Sequence, residues 1–276
     1  MAQTLTGETA IVTGAGRGFG RAIALRLAKE GAAVTLVSRT RTELDTVARE
    51  IAAQGGKAAV ALADVADRGQ VEVAVRTAEA AFGPTTILVN NAGTDGPFGP
   101  IGEIDPDDWW AAQAVHVRGP LLFMSAVLPG MRARRHGHIV NIASVGKNFV
   151  QSYLSAYGVG KNTLMRLTEH VALENRDCGI GVFAIEPGTT MTAMADHTIA
   201  SPDAQKWLPG MIEILKSIKA QAPDPTPIFA RCGDMVVALA SGKYDALTGL
   251  FLEPEEDFDA LLRGGRRLEA TSFQPK

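Results

Sequence analysis

A tyrosine and a lysine one helical turn apart are the residues of this chain best suited to chemistry. Tyr157 and Lys161 are four positions apart, and Ser144 precedes Tyr157 by thirteen positions. Positions i and i+4 share one face of a helix, so the lysine cation can favour the phenolate and lower the pKa of the phenol from its usual value of about 10. We therefore expect Tyr157 to act as acid and base, with Ser144 as a second hydrogen-bond donor to the reacting oxygen.

A glycine-rich segment near the start of the chain predicts a site for a phosphorylated ligand. The run Thr13-Gly14-Ala15-Gly16-Arg17-Gly18-Phe19-Gly20 follows an apolar strand and opens a helical segment. Glycine lets the backbone approach a pyrophosphate closely, and the free amides of a helix N-terminus attract negative charge. The common Gly-x-Gly-x-x-Gly pattern is not matched, because Phe19 stands where its third glycine should be. A tight turn without a ligand is the alternative.

Short apolar runs alternate with longer amphipathic segments, and this alternation predicts the elements that position these residues. We expect strands at 9–12, 34–37, 58–62, 87–89, 138–142, 180–185 and 248–252, and helices at 21–30, 42–54, 68–82, 107–134 and 155–177. The order predicts an α/β fold, a doubly wound, Rossmann-like parallel sheet of about seven strands. Residues 1–276 are expected to form a single domain, in which the proline-rich segment 189–227, with a helix at 203–220, is a lid over the carboxyl edge of the sheet.

The composition excludes several classes of protein. The 276 residues, 46% hydrophobic and 21% charged, are those of an ordinary globular protein. A net charge of −3 leaves no basic surplus for a nucleic-acid backbone. Cys178 and Cys232 have no spacing for a disulfide framework or a metal site. No signal peptide and no apolar run of membrane-spanning length is evident, so we expect a cytoplasmic enzyme with no metal, membrane or nucleic-acid partner.

In combination, these residues resemble the classical short-chain dehydrogenase/reductase family. The shared features are the glycine loop, Asp64, Asn90-Asn91-Ala92-Gly93, Ser144, Tyr157-x-x-x-Lys161 and Pro187-Gly188, in the family's order over about residues 8–192. The resemblance implies hydride transfer between a nicotinamide and a carbonyl or alcohol. It also implies that Asp64 lies beside adenine, that Lys161 holds the nicotinamide ribose, that Thr192 bonds the carboxamide, and that the chain forms a tetramer or dimer.

The end of the second strand favours NADP(H) over NAD(H). NAD enzymes of this type place an acidic side chain there, which accepts bonds from the ribose hydroxyls and repels a 2′-phosphate. This chain has Ser38-Arg39, with Arg17 in the glycine loop, and a guanidinium can bind phosphate in a bidentate way. Solvent-facing arginines are the alternative. The candidate cofactor-binding residues are Gly14, Arg17, Gly18, Phe19, Gly20, Ser38, Arg39, Asp64, Val65, Asn91, Ala92, Gly93, Tyr157, Lys161, Pro187, Gly188, Thr190 and Thr192.

One position departs from the family pattern. Most classical members carry an Asn-x-x-Gly string in the long helix, where the asparagine supports a water relay to the active lysine, whereas this chain has His116-Val117-Arg118-Gly119. Because histidine titrates near neutral pH, His116 is a fourth catalytic candidate beside Ser144, Tyr157 and Lys161. Three roles stay open for it: replacing the relay water, carrying a second proton, or preserving the backbone geometry.

Apolar residues around the lid predict a bulky, apolar carbonyl or alcohol substrate. They are Met191, Met194, Trp207 and Met211, with Phe98, Phe149 and Val150 on loops at the same edge. Packing of the lid against the core explains the same residues equally well. Two further functions remain open: an epimerase or dehydratase of this fold with no net redox reaction, and a dinucleotide-binding protein without turnover.

Overall fold

Seven parallel strands form one sheet in a computed structural model that describes residues 3–144 and 150–269. The spatial order β3-β2-β1-β4-β5-β6-β7 places the two halves of the chain on either side of the β1–β4 pair. The fold class predicted from the sequence is thereby confirmed. The strands are β1 Thr9–Thr13, β2 Ala33–Ser38, β3 Lys57–Leu62, β4 Ile87–Asn90, β5 Gly137–Ile142, β6 Ile180–Ile185 and β7 Phe251–Leu252.

Helices cover both faces of the sheet, which explains why the central strands are apolar at nearly every position. Side chains of α1, α2 and α10 pack on one face, and side chains of α3, α5 and α6 pack on the other. The helices are α1 Gly18–Lys29, α2 Arg41–Ala53, α3 Arg68–Phe82, α4 Pro106–Gln113, α5 Gly119–Arg134, α6 Ser155–Glu174, α7 Ala193–Ala200, α8 Pro202–Trp207, α9 Pro209–Gln221, α10 Thr226–Ala240 and α11 Phe258–Arg263.

The predicted long helix is a continuous helical span that contains one π turn. The turn comprises Ala114–Arg118 and joins α4 to α5. The whole span, Pro106–Arg134, has the length and apolarity of a bilayer-crossing helix, with a mean hydropathy of 1.2 in its most apolar window. The expectation that no segment reaches this length was therefore wrong. Phe123, Met124 and Val127 of this span lie buried against the sheet, as in a core helix.

The segment predicted as a lid contains three helices instead of the single helix expected at 203–220. Pro209 has no N–H to continue α8, so the chain turns at Leu208 and α9 begins there. Thr192 and Ser201 accept hydrogen bonds from the first turns of α7 and α8, which fixes where those helices begin. The predicted seventh strand is shortened to two residues, and α10 was not predicted.

Candidate active site

A cleft of about 1240 Å³ lies along the carboxyl edge of the sheet, beneath α7–α9. The strand order reverses between β1 and β4. Open α/β sheets form a ligand-binding crevice at such a point. Every candidate cofactor-binding residue named from the sequence lines this cleft, and so does Ser144. His116 does not line it and lies behind Tyr157 and Gly93.

The glycine loop leaves room at the start of α1 for a phosphorylated group. Gly14 and Gly18 have φ values of +61° and +54°, which favour glycine. A Cβ built on Gly20 would lie only 2.1 Å from the Gly14 carbonyl oxygen, so this turn admits no side chain. The residue that precedes α1, Arg17, makes no side-chain cap to the helix amides. The first-turn amides of α1 are therefore available to a pyrophosphate, and the loop fits a dinucleotide.

The segment after β4 is bonded to the end of β1. Asn91 donates from its side-chain amide to the carbonyl oxygens of Thr13 and Gly14, at 2.9 and 3.2 Å. The backbone amides of Asn91 and Ala92 donate to the Thr13 hydroxyl at 2.9 and 3.0 Å. These bonds hold the two loops that border the cleft in a fixed relation. The glycine loop and the segment after β4 are therefore neighbours in the fold.

Each arginine at the β2 end of the cleft already has an acidic neighbour. Arg17 lies 3.6 Å from Glu43, and Arg39 lies 4.0 Å from Asp64. Sequence reasoning missed Glu43, although its place in the first turn of α2, as the third residue of that helix, is visible in the pattern. The arginines therefore stand at the cleft, but two carboxylates balance their charge.

Hydrogen bonds from α4 fix the start of the helix that carries Tyr157. The Trp109 indole donates to the Ser155 hydroxyl at 3.1 Å, and Gln113 donates to the Ala156 carbonyl at 2.7 Å. Both bonds end within two residues of Tyr157. The orientation of the phenol therefore depends on α4, which lies far from it in the sequence.

Lys161 is buried and Tyr157 is partly buried at the catalytic end of the cleft. The Lys161 ammonium donates to the Ile142 carbonyl at 2.7 Å and lies 5.8 Å from the centre of the Tyr157 ring. Burial lowers the pKa of Lys161 to about 8. Burial also raises the pKa of Tyr157, and a hydrogen bond with Ser144 lowers it without reversing the direction. The lowered phenol pKa that the spacing suggested is thus not produced by the neighbouring residues of the chain.

His116 is a buried, neutral imidazole inside the π turn. Its Nε2 lies 2.7 Å from the Thr94 carbonyl oxygen, and its ring meets Tyr157 edge to face with 5.5 Å between centroids. Burial and the nearby Lys161 cation lower its pKa to about 3. The expectation that this histidine titrates near neutral pH was wrong, because a ring so enclosed is not readily charged. A side chain at residue 160 would collide with it, and Gly160 avoids this.

A carboxylate that the motifs did not reveal joins the lid to the catalytic loop. Asp95 accepts hydrogen bonds from His197 at 2.6 Å and from Thr198 at 3.3 Å, and both residues belong to α7. Its negative charge also contributes to the raised pKa of Tyr157. The only signal in the sequence was its place two residues after Gly93. Thr192, expected to bond the carboxamide, caps α7 and faces the cleft.

Some apolar residues near the lid pack against each other, and others line the cleft. Phe98 is buried with Leu154 and Leu208, and Met211 packs against this cluster. Met194, Trp207 and Met211 also line the cleft. Met191 is buried, and Val150 is exposed. Phe149 lies outside the described residues.

Comparisons with known proteins identify what the chain is similar to. The sequence profile described as "short chain dehydrogenase" matches residues 8–202. A short chain dehydrogenase of Pseudocercospora fijiensis is 32% identical over 275 residues, covering 96% of this chain and 87% of the relative. A metagenomic short-chain oxidoreductase solved in complex with NADP has a TM-score of 0.73 and 29% identity, with 92% and 100% of the two chains covered. An NAD⁺-bound xylitol dehydrogenase has a TM-score of 0.76 and 27% identity, with 90% and 98% covered.

Proposed function

Because the chain belongs to the short-chain dehydrogenase/reductase family of NAD(P)-dependent oxidoreductases, we propose that it interconverts a carbonyl compound and an alcohol, with Tyr157 as acid and base. The observation that carries the proposal is the position of the partly buried phenol, which is hydrogen-bonded with Ser144 and whose ring centre lies 5.8 Å from the Lys161 ammonium. These groups border the same cleft as the glycine loop. A proton donor and a dinucleotide cradle thus face one space.

The residues of the chain divide the chemistry between them. A bound nicotinamide supplies the hydride in reduction and accepts it in oxidation. In reduction, Ser144 donates a hydrogen bond to the carbonyl oxygen, and Tyr157 gives that oxygen its proton as negative charge develops. The raised pKa of Tyr157 keeps the phenol protonated beforehand. Lys161, fixed by the Ile142 carbonyl, then stabilises the phenolate. Oxidation of the alcohol uses the same groups in reverse.

We propose that NADP(H) is preferred over NAD(H). Ser38 stands where NAD-dependent relatives of this type place an acid, and Arg39 and Arg17 border the same end of the cleft. Their partners, Asp64 and Glu43, hold them at 4.0 and 3.6 Å, which is weaker than a bonded ion pair. A 2′-phosphate offers these guanidinium groups closer bidentate contacts. The preference therefore depends on phosphate competing successfully with two carboxylates.

We also propose an apolar substrate and a homo-oligomeric assembly. Met194, Trp207 and Met211 provide the apolar wall for the substrate. The side chain of Trp110 on α4 is 66% exposed, and Leu121 on α5 is also exposed, as expected of helices that meet a second copy. Size-exclusion chromatography with light scattering tests the assembly, and a monomer at micromolar concentration would contradict it.

A panel of ketones, aldehydes and alcohols, assayed by nicotinamide absorbance with NADPH and NADH in parallel, tests the proposed reaction. We expect one equivalent of cofactor consumed for each carbonyl reduced, with a higher kcat/KM for NADPH. Conversion of substrate without net cofactor loss would favour an epimerase or dehydratase. Tight dinucleotide binding without turnover of any substrate would favour a non-catalytic binding protein. Equal kcat/KM values for the two cofactors would refute the preference alone.

A further inference from the structure

The loop after β4 carries a carboxylate past the reacting groups of the site. A Cβ built on Gly93 would lie 3.6 Å from Lys161 Nζ. A Cβ built on Gly96 would lie 3.9 Å from the backbone nitrogen of Tyr157. Asp95 stands between these two contacts in the chain and lines the cleft, and its side chain is 14% exposed. The carboxylate therefore borders the space in which the carbonyl group of a substrate meets Tyr157.

The two oxygens of the Asp95 carboxylate have unequal partners. Oδ2 accepts hydrogen bonds from His197 at 2.6 Å and from Thr198 at 3.3 Å. Within residues 3–144 and 150–269, Oδ1 meets only the Thr94 hydroxyl, at 3.5 Å, which is longer than an ordinary O–H···O hydrogen bond. Each oxygen of a carboxylate can accept two hydrogen bonds. Oδ1 therefore keeps the capacity to accept a bond from a ligand in the cleft.

Negative charge reaches the phenol of the site from two carboxylates. Burial is the largest cause of the raised pKa of Tyr157, and the charges of Glu186 and Asp95 raise it further. Both acids line the cleft. The Lys161 ammonium carries the opposite charge, but it is 7% exposed and donates to the Ile142 carbonyl. A charge that disfavours a phenolate also disfavours another anion beside it, so a substrate carboxylate close to the carbonyl group is repelled.

We propose that Asp95 is a specificity-determining residue, whose Oδ1 accepts a hydrogen bond from a hydroxyl group of the substrate and whose charge disfavours a carboxylate at the same place. The substrate class is then an apolar ketone, or the corresponding alcohol, that carries a further hydroxyl a few bonds from the reacting carbon and no carboxylate there. The inference rests on the proposed function, because it narrows the substrate class of that site. Asp95 itself transfers neither hydride nor proton.

A role only as an anchor for the lid is the competing explanation, and two substitutions separate the two roles. Asp95→Asn removes the charge, but the amide oxygen can still accept from His197 and Thr198. His197→Leu removes the shorter of the two bonds to α7 and leaves the carboxylate in place. Asp196→Asn is the matched control, because it removes the same charge from a residue of α7 that pairs with Lys219 and does not line the cleft.

Three phenyl ketones that differ only at one end supply the readout. Each has a phenyl ring, the carbonyl group and two methylene groups, followed by a methyl, a hydroxyl or a carboxylate group. We measure kcat/KM for each with NADPH, and the methyl ketone is the reference, because a change in cofactor binding or in Tyr157 affects all three alike. For a ketone that is not reduced, its inhibition constant against the best substrate of the carbonyl panel replaces kcat/KM.

The parent should prefer the hydroxyl ketone and accept the carboxylate ketone least. Asp95→Asn should raise the carboxylate-to-methyl ratio about fivefold, because one unit of repulsion is lost at a partly solvated site. It should lower the hydroxyl-to-methyl ratio about threefold, because a neutral acceptor binds a hydroxyl less strongly than a charged one. His197→Leu and Asp196→Asn should leave both ratios within about twofold of the parent values. Unchanged ratios in Asp95→Asn, or the same changes in His197→Leu, would overturn the proposal.

Salt provides a second test that needs no substitution. An increase in ionic strength from about 0.05 to about 0.5 M should raise the carboxylate-to-methyl ratio of the parent about twofold, because ions screen the repulsion. A constant or lower ratio would contradict it. If the parent reduces no ketone of the panel, the proposed function fails and this inference fails with it. If the parent reduces ketones and the ratios do not respond to Asp95→Asn, only the selection by Asp95 fails.

Discussion

The cleft joins two regions whose polar groups lie in opposite surroundings. At the β2 end, the side chains of Arg17 and Arg39 are 69% and 78% exposed. At the β5–β6 end, Lys161 is 7% exposed and His116 is 1% exposed. Water screens the charges of Arg17 and Arg39, so each ionic contact there contributes little free energy. Burial, in contrast, strongly lowers the pKa values of Lys161 and His116. We infer that the buried region carries the chemistry and the exposed region adjusts the choice of cofactor.

The largest effect is expected from removing the proton donor of the buried region. Tyr157→Phe keeps the ring, so it should lower kcat by about 10²- to 10⁴-fold while dinucleotide affinity, measured by calorimetry, stays close to the parent value. Tyr153→Phe is the matched control, because it removes the same hydroxyl from an exposed ring that packs on Trp207. Full activity of the Tyr157 variant would end the assignment.

Substitution of Lys161 should change both the activity and the pH dependence of stability, and the two effects can be measured separately. Lys161→Met is expected to lower kcat by about 10²-fold, since the phenolate loses its cation. The folded pKa of Lys161, about 8, lies below the usual 10.5, so the unfolded chain binds more protons between these values and stability rises with pH there. Urea unfolding at pH 7.5, 8.5 and 9.5 should reveal this rise in the parent and a smaller one in the variant. Identical slopes would show that Lys161 is not the titrating group.

A smaller effect is expected from the exposed region. Arg39→Ser should lower kcat/KM for NADPH by about tenfold, which is the size of one charge-assisted hydrogen bond at a partly screened site. The value for NADH should change little, and the difference should shrink at high salt. Arg41→Ser is the control, because Arg41 pairs with Asp45 on the outer surface of α2 and does not line the cleft. Equal losses with both cofactors would place Arg39 outside phosphate recognition.

The smallest effect should come from the acid that competes for Arg17. Glu43→Gln removes a carboxylate 3.6 Å from that guanidinium, and we expect the ratio of kcat/KM for NADPH over NADH to rise about two- to fivefold. Glu72→Gln removes the same charge from an exposed ion pair with Arg68 on α3 and serves as the control. A lower ratio in the Glu43 variant would mean that Glu43 assists phosphate binding.

Local signals explain which parts of the fold could be predicted. The predicted bounds of α3 and β6 agree with the structure at both ends, because Asp67 caps α3 and a run of buried apolar residues forms β6. The glycine loop and the Tyr157–Lys161 spacing are likewise short-range patterns. The prediction differed from the structure in two places near prolines. Pro209 divides the predicted lid helix, and α10, which follows a segment rich in proline, was not predicted.

Long-range contacts explain what the sequence did not reveal in the site. The pairing of Asp95 with His197 joins residues 102 positions apart. The raised pKa of Tyr157 depends on burial and on the charges of Glu186 and Asp95, which are distant from it in the chain. The pKa of His116 depends in the same way on enclosure by α6 and the β4 loop. A motif fixes which groups are present, whereas their protonation depends on the assembled protein.

Transfer of a labelled hydride tests the central claim most directly. The alcohol formed from an apolar ketone would be examined by mass spectrometry and NMR, after reaction with NADPH carrying deuterium at each face of the transferring nicotinamide carbon in turn. We expect one deuterium on the carbinol carbon of the product from one labelled face and none from the other, with one equivalent of cofactor oxidised. Product that forms without deuterium from either labelled face would contradict hydride transfer at the site of Tyr157 and Lys161.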